Sequence, residues 1–251
     1  MSTDQTMQTC LEELEVGQQF FQTAGPLTGG NGADVAATYA RLQLGIAGGQ
    51  DLEARWRYLS PVREGAELRF EATVTRCRRT SSLEQGLVGR HVRVLDSDGM
   101  VVQEGQTLTL VPARVAQDDG ATRVGRAFGS REWAAAMANR LGADCEFTTQ
   151  TSTWDGALGI RFGADEIQFR IYRGRVLEAV RRTLAGPTFV VEASEHDWVD
   201  LFTGSANDFA RRAMLDQFEV HGNAYEYLRM TAALVAFVDQ ARALAGAGRS
   251  N

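Results

Sequence analysis

The apolar positions along this chain change their period near the middle, and that change divides it. Residues 52–59 and 68–76 alternate apolar with polar side chains, as a sheet with one buried face demands, and the stretch between them, Ser60 to Gly65, is turn chemistry. Two further runs, 87–95 and 101–111, flank Asp96-Ser-Asp-Gly99, a strong hairpin signal. Ahead of them the spacing predicts a first strand over 18–23 and a helix over 33–46, with Val35, Tyr39, Leu42 and Ile46 on one face. The first half reads as an antiparallel meander packed on one helix. Periodicity is lost over residues 114–127, which predicts a first domain over 1–115, a linker over 116–127 and a second domain over 128–251.

The second half mixes both periods. Ser130 with Glu132 opens a helix whose Trp133, Met137 and Leu141 recur at four-residue steps. Strands are expected over 145–151, 157–162, 166–172, 175–180 and 188–192, with Asp155-Gly156 and Arg173-Gly174 marking turns. Ser194, with Asp197 three residues on, caps a helix that turns Trp198, Leu201 and Phe202 one way. Asn207 opens another, carrying Phe209, Ala213 and Met214. After a strand over 217–220, Asn223 caps a long helix reaching about Ala245, with Tyr227, Met230, Leu234, Phe237 and Leu244 among its apolar positions. Several amphipathic helices on one face of a sheet require a shared core, so the fold class expected for the whole chain is α+β.

Composition narrows the chemistry. With 251 residues, 44% hydrophobic and 23% charged, the chain has length for two domains. No window approaches eighteen consecutive apolar residues, and the polar start Met1-Ser-Thr-Asp-Gln lacks a basic and then apolar leader, so the expected location is cytoplasmic, with no transmembrane segment. Cys10, Cys77 and Cys145 are odd in number and far apart, without the spacing of a zinc site or a disulfide framework, so reduced thiols and no bound metal are expected. A net charge of −6 without a basic stripe argues against a nucleic-acid partner. Every basic side chain besides histidine is Arg, which excludes Schiff-base chemistry, a Walker-type phosphate lysine and internal pyridoxal attachment. No cofactor is expected.

Three segments of the first half, Leu11 to Gly17, Leu59 to Gly65 and Asp98 to Gly105, resemble the hot-dog fold and within it the MaoC-like dehydratases. That resemblance implies an antiparallel sheet wrapped on a central helix, and either a homodimer whose sheets run together or a double-domain assembly. Hydratase members carry an Asp and a His about five residues apart ahead of the central helix; here residues 23–34 contain no His, so the usual dyad is missing and whether the chain is an enzyme stays open. In the second half, the order Gln168 to Val176, Thr188 to Glu192, the helix at Ser194 and the corner Phe218 to Leu228 resembles the sterol carrier protein type 2 family. The implied fold is an α/β sandwich of a mixed sheet and helices enclosing an apolar tunnel, which points to a lipid, steroid, isoprenoid or acyl-CoA ligand.

Two candidate sites follow. In the first half, Asn31 and Gly32, with Gly29 and Gly30, stand where the helix begins, and its positive end stabilises an anionic oxygen; Asp34 is then a carboxylate base or nucleophile. The other reading makes Asn31 an N-cap and Asp34 a first-turn acid complementing the dipole. In the second half Trp198, Phe202, Phe209, Met214, Phe218, Tyr227 and Met230 line a tunnel under the resemblance, or simply form packed core. His91 is expected on a partly exposed strand face, and His221 at a strand-to-helix corner. Three functions stay open: a carrier whose hot-dog half dimerises or docks an enzyme of acyl-CoA metabolism; a hydratase, dehydratase, thioesterase or cyclase acting on a thioester or polyketide-like substrate; and an assembly scaffold.

Overall fold

The structure, a computed structural model, describes residues 8–25, 32–114 and 124–246, and the chain divides into two compact units, Met1–Gln117 and Asp118–Asn251. In the first unit β1 (Gln19–Ala24), α1 (Gly32–Leu42), β2 (Gln50–Tyr58), β3 (Leu68–Arg79), β4 (Gln85–Leu95) and β5 (Val101–Pro112) follow in turn. The strands form one sheet in the order β1-β3-β4-β5-β2, with every neighbouring pair antiparallel. Alternation on the central strands turns Leu68, Phe70 and Ala72 of β3 and Val92 and Val94 of β4 into one apolar cluster with Val35 and Tyr39 of α1. The β4–β5 hairpin closes where expected, because the Asp96 carboxylate accepts the backbone N–H groups of Asp98 (3.0 Å) and Met100 (2.9 Å).

Two expectations for this unit are corrected. The helix stops at Leu42 rather than Ile46, since Gln43 and Leu44 take left-handed φ of 54° and 29°. Arg90 makes that stop tenable: its guanidinium donates to the carbonyls of Gln43 (3.3 Å) and Leu44 (3.2 Å), and a cation there complements the negative end of the helix. Ile46 still reaches a second apolar cluster with Leu11, Leu14, Val74, Val88 and Val111. The other correction is β2, read as having one buried face. It is exposed along its length apart from half-buried Trp56, because it pairs only with β5 at the sheet's edge.

The second unit runs α2 (Arg131–Ala143), α3 (Cys145–Gln150), β6 (Asp155–Phe162), β7 (Asp165–Tyr172), β8 (Arg175–Val180), β9 (Phe189–Ala193), α4 (Glu195–Thr203), α5 (Phe209–Met214), β10 (Glu219–Gly222), α6 (Ala224–Arg229) and α7 (Thr231–Gly246). Its sheet has the order β10-β9-β6-β7-β8 and is mixed, β6 and β9 being parallel. Arg173 and Gly174, at φ 46° and 79°, make the tight β7–β8 turn that their sequence announced. Trp133 anchors the core, meeting Phe162 edge-on at 5.5 Å, Phe202 stacked at 6.1 Å and Phe237 at 6.4 Å. The alanine-rich α7 touches each of α2 to α6.

Residues 145–151, expected as a strand, form α3 instead. Asp144 decides this: one carboxylate oxygen accepts the Phe147 N–H at 2.6 Å and the other accepts Gln240 Nε2 at 2.6 Å, while the Thr148 and Thr149 hydroxyls donate back to the carbonyls of Asp144 (2.9 Å) and Cys145 (2.7 Å). The long helix expected from Asn223 is two helices, parted at Met230, whose N–H is shared between the carbonyls of Glu226 (2.9 Å) and Tyr227 (3.1 Å). The last strand falls at Glu219–Gly222 rather than 217–220. Replacing Asp144 by Ala removes both a cap and a tie to α7, and is expected to cost about 1–2 kcal/mol, read as a lower urea midpoint with unchanged m-value.

Candidate functional site

The inward face of β5 breaks the hydrophobic rule. Gln103, Thr107 and Thr109 are buried on the side that faces α1, while Leu108 and Leu110 are only partly buried on the other. The threonines are held by polar partners. Thr107 Oγ1 lies 3.0 Å from the Tyr39 hydroxyl, and Thr109 Oγ1 donates to Asp51 (2.7 Å) and accepts from Arg90 Nη2 (3.1 Å). Arg90, itself 3% exposed, places its guanidinium 5.4 Å from the Tyr39 ring centre. Gly105 sits between Gln103 and Thr107, and a Cβ there would come within 2.5 Å of the Trp56 ring, which packs edge-on against Tyr39 at 5.1 Å. Gln103 differs from its neighbours on the strip. It is 0% exposed, and among the described residues neither its Nε2 nor its Oε1 has a hydrogen-bond partner.

Gly32 is the first residue of α1; Asn31 and the side chain of Asp34 lie outside the described residues. His91 is partly buried on β4, paired with Thr73 and Gln106 on the face away from α1. Burial raises the Tyr39 phenol above its ordinary value, with the nearby Arg90 charge opposing in part.

In the second unit the structure brings most of the expected aromatic set together. Trp198, Phe202, Phe209, Phe218 and Met230 are buried, and their rings are near neighbours: Trp198 meets Phe218 at 4.7 Å and Phe202 at 5.2 Å, and Phe209 meets Phe218 at 5.4 Å. Tyr227 is partly buried, edge-on to Phe189 at 5.9 Å, and desolvation raises its phenol pKa. Met214 does not join this set. It ends the short α5 and stands 84% exposed, because only Phe209 at the other end of that helix is drawn fully into the core. Leu215, Tyr225 and Leu228 are exposed as well. Cross-strand pairing also assembles a charged cluster that linear spacing concealed: Glu192 of β9 accepts from Arg161 of β6 and lies 3.1 Å from His221 Nε2 on β10.

Among the described residues no group of three or more His, Cys, Asp or Glu side chains is arranged to hold a metal ion, and no helix is long and apolar enough to cross a membrane. Cys10 and Cys77 are partly buried and Cys145 is exposed.

No family model matches the chain, and no curated protein does. Solved structures do. A MaoC-like dehydratase from Rhodospirillum rubrum is similar at 21% identity over 43% of this chain and 99% of that one, with a TM-score of 0.38. The unliganded R-hydratase from Pseudomonas aeruginosa is similar at 19% identity, over 44% of this chain and 93% of its own, with a TM-score of 0.34. Sterol carrier protein 2 is similar at 20% identity over 46% of this chain and 97% of that one, with a TM-score of 0.41. The two five-stranded sheets with their helices make the chain α+β, and each of these similarities spans about half of it.

The buried phenol gives an alkaline signature. An unfolded tyrosine ionises near pH 10, whereas folded Tyr39 keeps its proton to higher pH. Above pH 10 the unfolded chain therefore binds fewer protons, and the stability of the first unit falls as pH rises. Tyr39→Phe is expected to flatten this loss between pH 9 and 11 in urea titrations, apart from the ionisation common to exposed tyrosines.

Proposed function

We propose that the protein binds an apolar or CoA-linked small molecule, of the lipid, steroid, isoprenoid or acyl-CoA class, at the α5–β10–α6 corner of its second unit. The observation that carries this reading is the run of exposed large apolar side chains there. Met214, Leu215, Tyr225 and Leu228 all stand in water within fifteen residues, while Phe218 and Tyr227 from the same stretch turn into the aromatic core. Exposed apolar groups this close along the chain, with Glu219, Glu226 and Arg229 among them, support a binding surface rather than ordinary solvated loop. Methionine at its edge adapts to ligands of different shape.

The first unit, on this reading, is a dimerisation or docking module, the latter for an enzyme of acyl-CoA metabolism. Edge strand β2 supports it: Leu52 and Tyr58 on the strand and Leu59 just past its end are exposed, and one row of the strand's backbone groups is turned away from β5. A second copy of that edge is the simplest way to cover it.

Two measurements test these statements. Palmitoyl-CoA or palmitate at a hundredfold excess over its Kd should stabilise the protein by about 2.7 kcal/mol, and the double variant Tyr225→Asp, Leu228→Asp should lose that shift while its own Tm stays near wild type. No shift with palmitate, palmitoyl-CoA or cholesterol would end the ligand reading. For the dimer, Leu52→Lys is expected to convert a dimeric sedimentation coefficient to a monomeric one; a wild-type monomer, or a variant that remains dimeric, rules out the β2 interface.

A further inference from the structure

The corner beside β10 lies at one edge of the second unit's sheet, and the opposite edge, β8, has a different chemistry. In the strand order β10-β9-β6-β7-β8 the two edges are about 19 Å apart. Residues 172–184, which run from the end of β7 through β8 into its connection with β9, hold four arginines, Arg173, Arg175, Arg181 and Arg182, against one carboxylate, Glu178. The chain as a whole has a net charge of −6. All four arginines are exposed. Arg181 lies 3.3 Å from Asp165, while Arg173, Arg175 and Arg182 form no ion pair among the described residues. Cations on an edge strand deter edge-to-edge pairing, but that purpose does not account for the apolar side chains set among them.

Three such groups stand here, each turned outward by its own local geometry. Val176 and Ala179 of β8 pack on the core, and the register of β8 against β7 skips Leu177, so this bulged residue faces solvent. Tyr172 opposes Arg175 across the turn, and the Arg173 guanidinium lies 5.3 Å from its ring centre. Leu184 is fully exposed at the tip of a turn that closes where the Gly186 N–H donates to the Thr183 carbonyl (3.3 Å). The base of that turn is buried and fixed. Thr183 donates from both its N–H (2.7 Å) and its hydroxyl (2.8 Å) to the side-chain oxygen of buried Gln168. Buried hydrogen bonds therefore hold a leucine out in water, against the hydrophobic preference of its side chain.

We propose that the β8 edge docks the protein on an anionic bilayer surface, with Leu184, Leu177 and Tyr172 entering the headgroup layer and the four arginines meeting lipid phosphates. Separate apolar side chains projecting among cations suit a soft interface that closes round each of them, whereas a folded partner needs a continuous face to pack against. Nucleic acid would engage the arginines and leave both leucines in water. Each arginine near an anionic bilayer gives about a fivefold gain in binding, and the four act together because they follow one strand. Docking by β8 leaves β10 and the corner beside it open to solution, and it needs no ligand there.

Flotation of the full chain with vesicles tests this. Vesicles of about one-third phosphatidylglycerol in phosphatidylcholine should carry the protein, vesicles of phosphatidylcholine alone should not, and raising the salt from about 0.1 to about 0.5 M should release it. The double variant Arg175→Glu, Arg182→Glu is expected to bind at least about tenfold more weakly, and Leu184→Ser about threefold more weakly, both with urea midpoints near wild type. Emission from Leu184→Trp should be quenched by brominated acyl chains, while the buried Trp133, Trp154 and Trp198 of the wild type are not. The proposal is overturned by no flotation with anionic vesicles, by equal flotation with neutral ones, or by unchanged binding in the arginine variant. It is overturned as well if heparin binds as tightly as the vesicles and Leu184→Ser behaves as wild type, which would make the partner a soluble polyanion. Loss of flotation in Tyr225→Asp, Leu228→Asp with the arginine variant unaffected would put the contact at the other edge, with the same result. The ligand reading stands or fails separately, because the palmitate shift is measured without vesicles.

Discussion

One short helix has to cover one face of a five-stranded sheet, and it is too narrow for the task. Eleven residues make a rod about 16 Å long and about 10 Å wide, set against strands spaced about 4.8 Å apart. The middle strands β3 and β4 lie beneath it and carry the apolar alternation that a buried face requires. The outer strands β1 and β2 meet it only through Phe20 and Ala24 and through Trp56, and most of their other residues are exposed. At the boundary stands β5, where contact with the helix is polar and specific: a phenol, two threonines, a carboxylate and a buried guanidinium in one connected set. That set fixes where the helix ends, hence the level at which it begins, and so which residues of β5 its first turn overlies.

The second unit solves the opposite problem, with many helices sharing one sheet. Small residues along α7 let five other helices approach it, and charged side chains secure their ends. Arg242 donates to the carbonyls of Leu201 (2.5 Å) and Gly204 (2.7 Å) where α4 closes, and Gln240 links Arg140 of α2 with Asp144 at the start of α3. Between these ties the rings of Trp198, Phe202, Phe209 and Phe218 are near neighbours.

Alternation and turn chemistry made the sheets legible: the central strands, the Asp96 hairpin and the Arg173-Gly174 turn all follow from local rules. The failures have local causes too. Residues 145–151 carry threonines that favour a strand, but the cap from Asp144 is worth more than that preference, and its tie to Gln240 spans almost a hundred residues that no window includes. The long helix from Asn223 has no proline or glycine at Met230 to announce its interruption. Gln103 escaped because alternation assigns polar side chains to the solvent face, and on β5 the polar residues point inward. Met214 was grouped with the core on helical spacing, yet a six-residue helix has no second turn long enough to hold both ends against the sheet. Glu192 and His221 are joined only by strand pairing, which the order of residues does not display.

The central place of α7 also sets an order of events during synthesis. It is the last element of its unit to emerge, and the rings of Trp133, Phe162, Phe169 and Phe202 have no complete covering until Phe237 and its neighbours arrive. The first unit closes on contacts that are all complete by residue 114 and can fold while the rest is still being translated. The aromatic face of the second is left open until α7 has been translated.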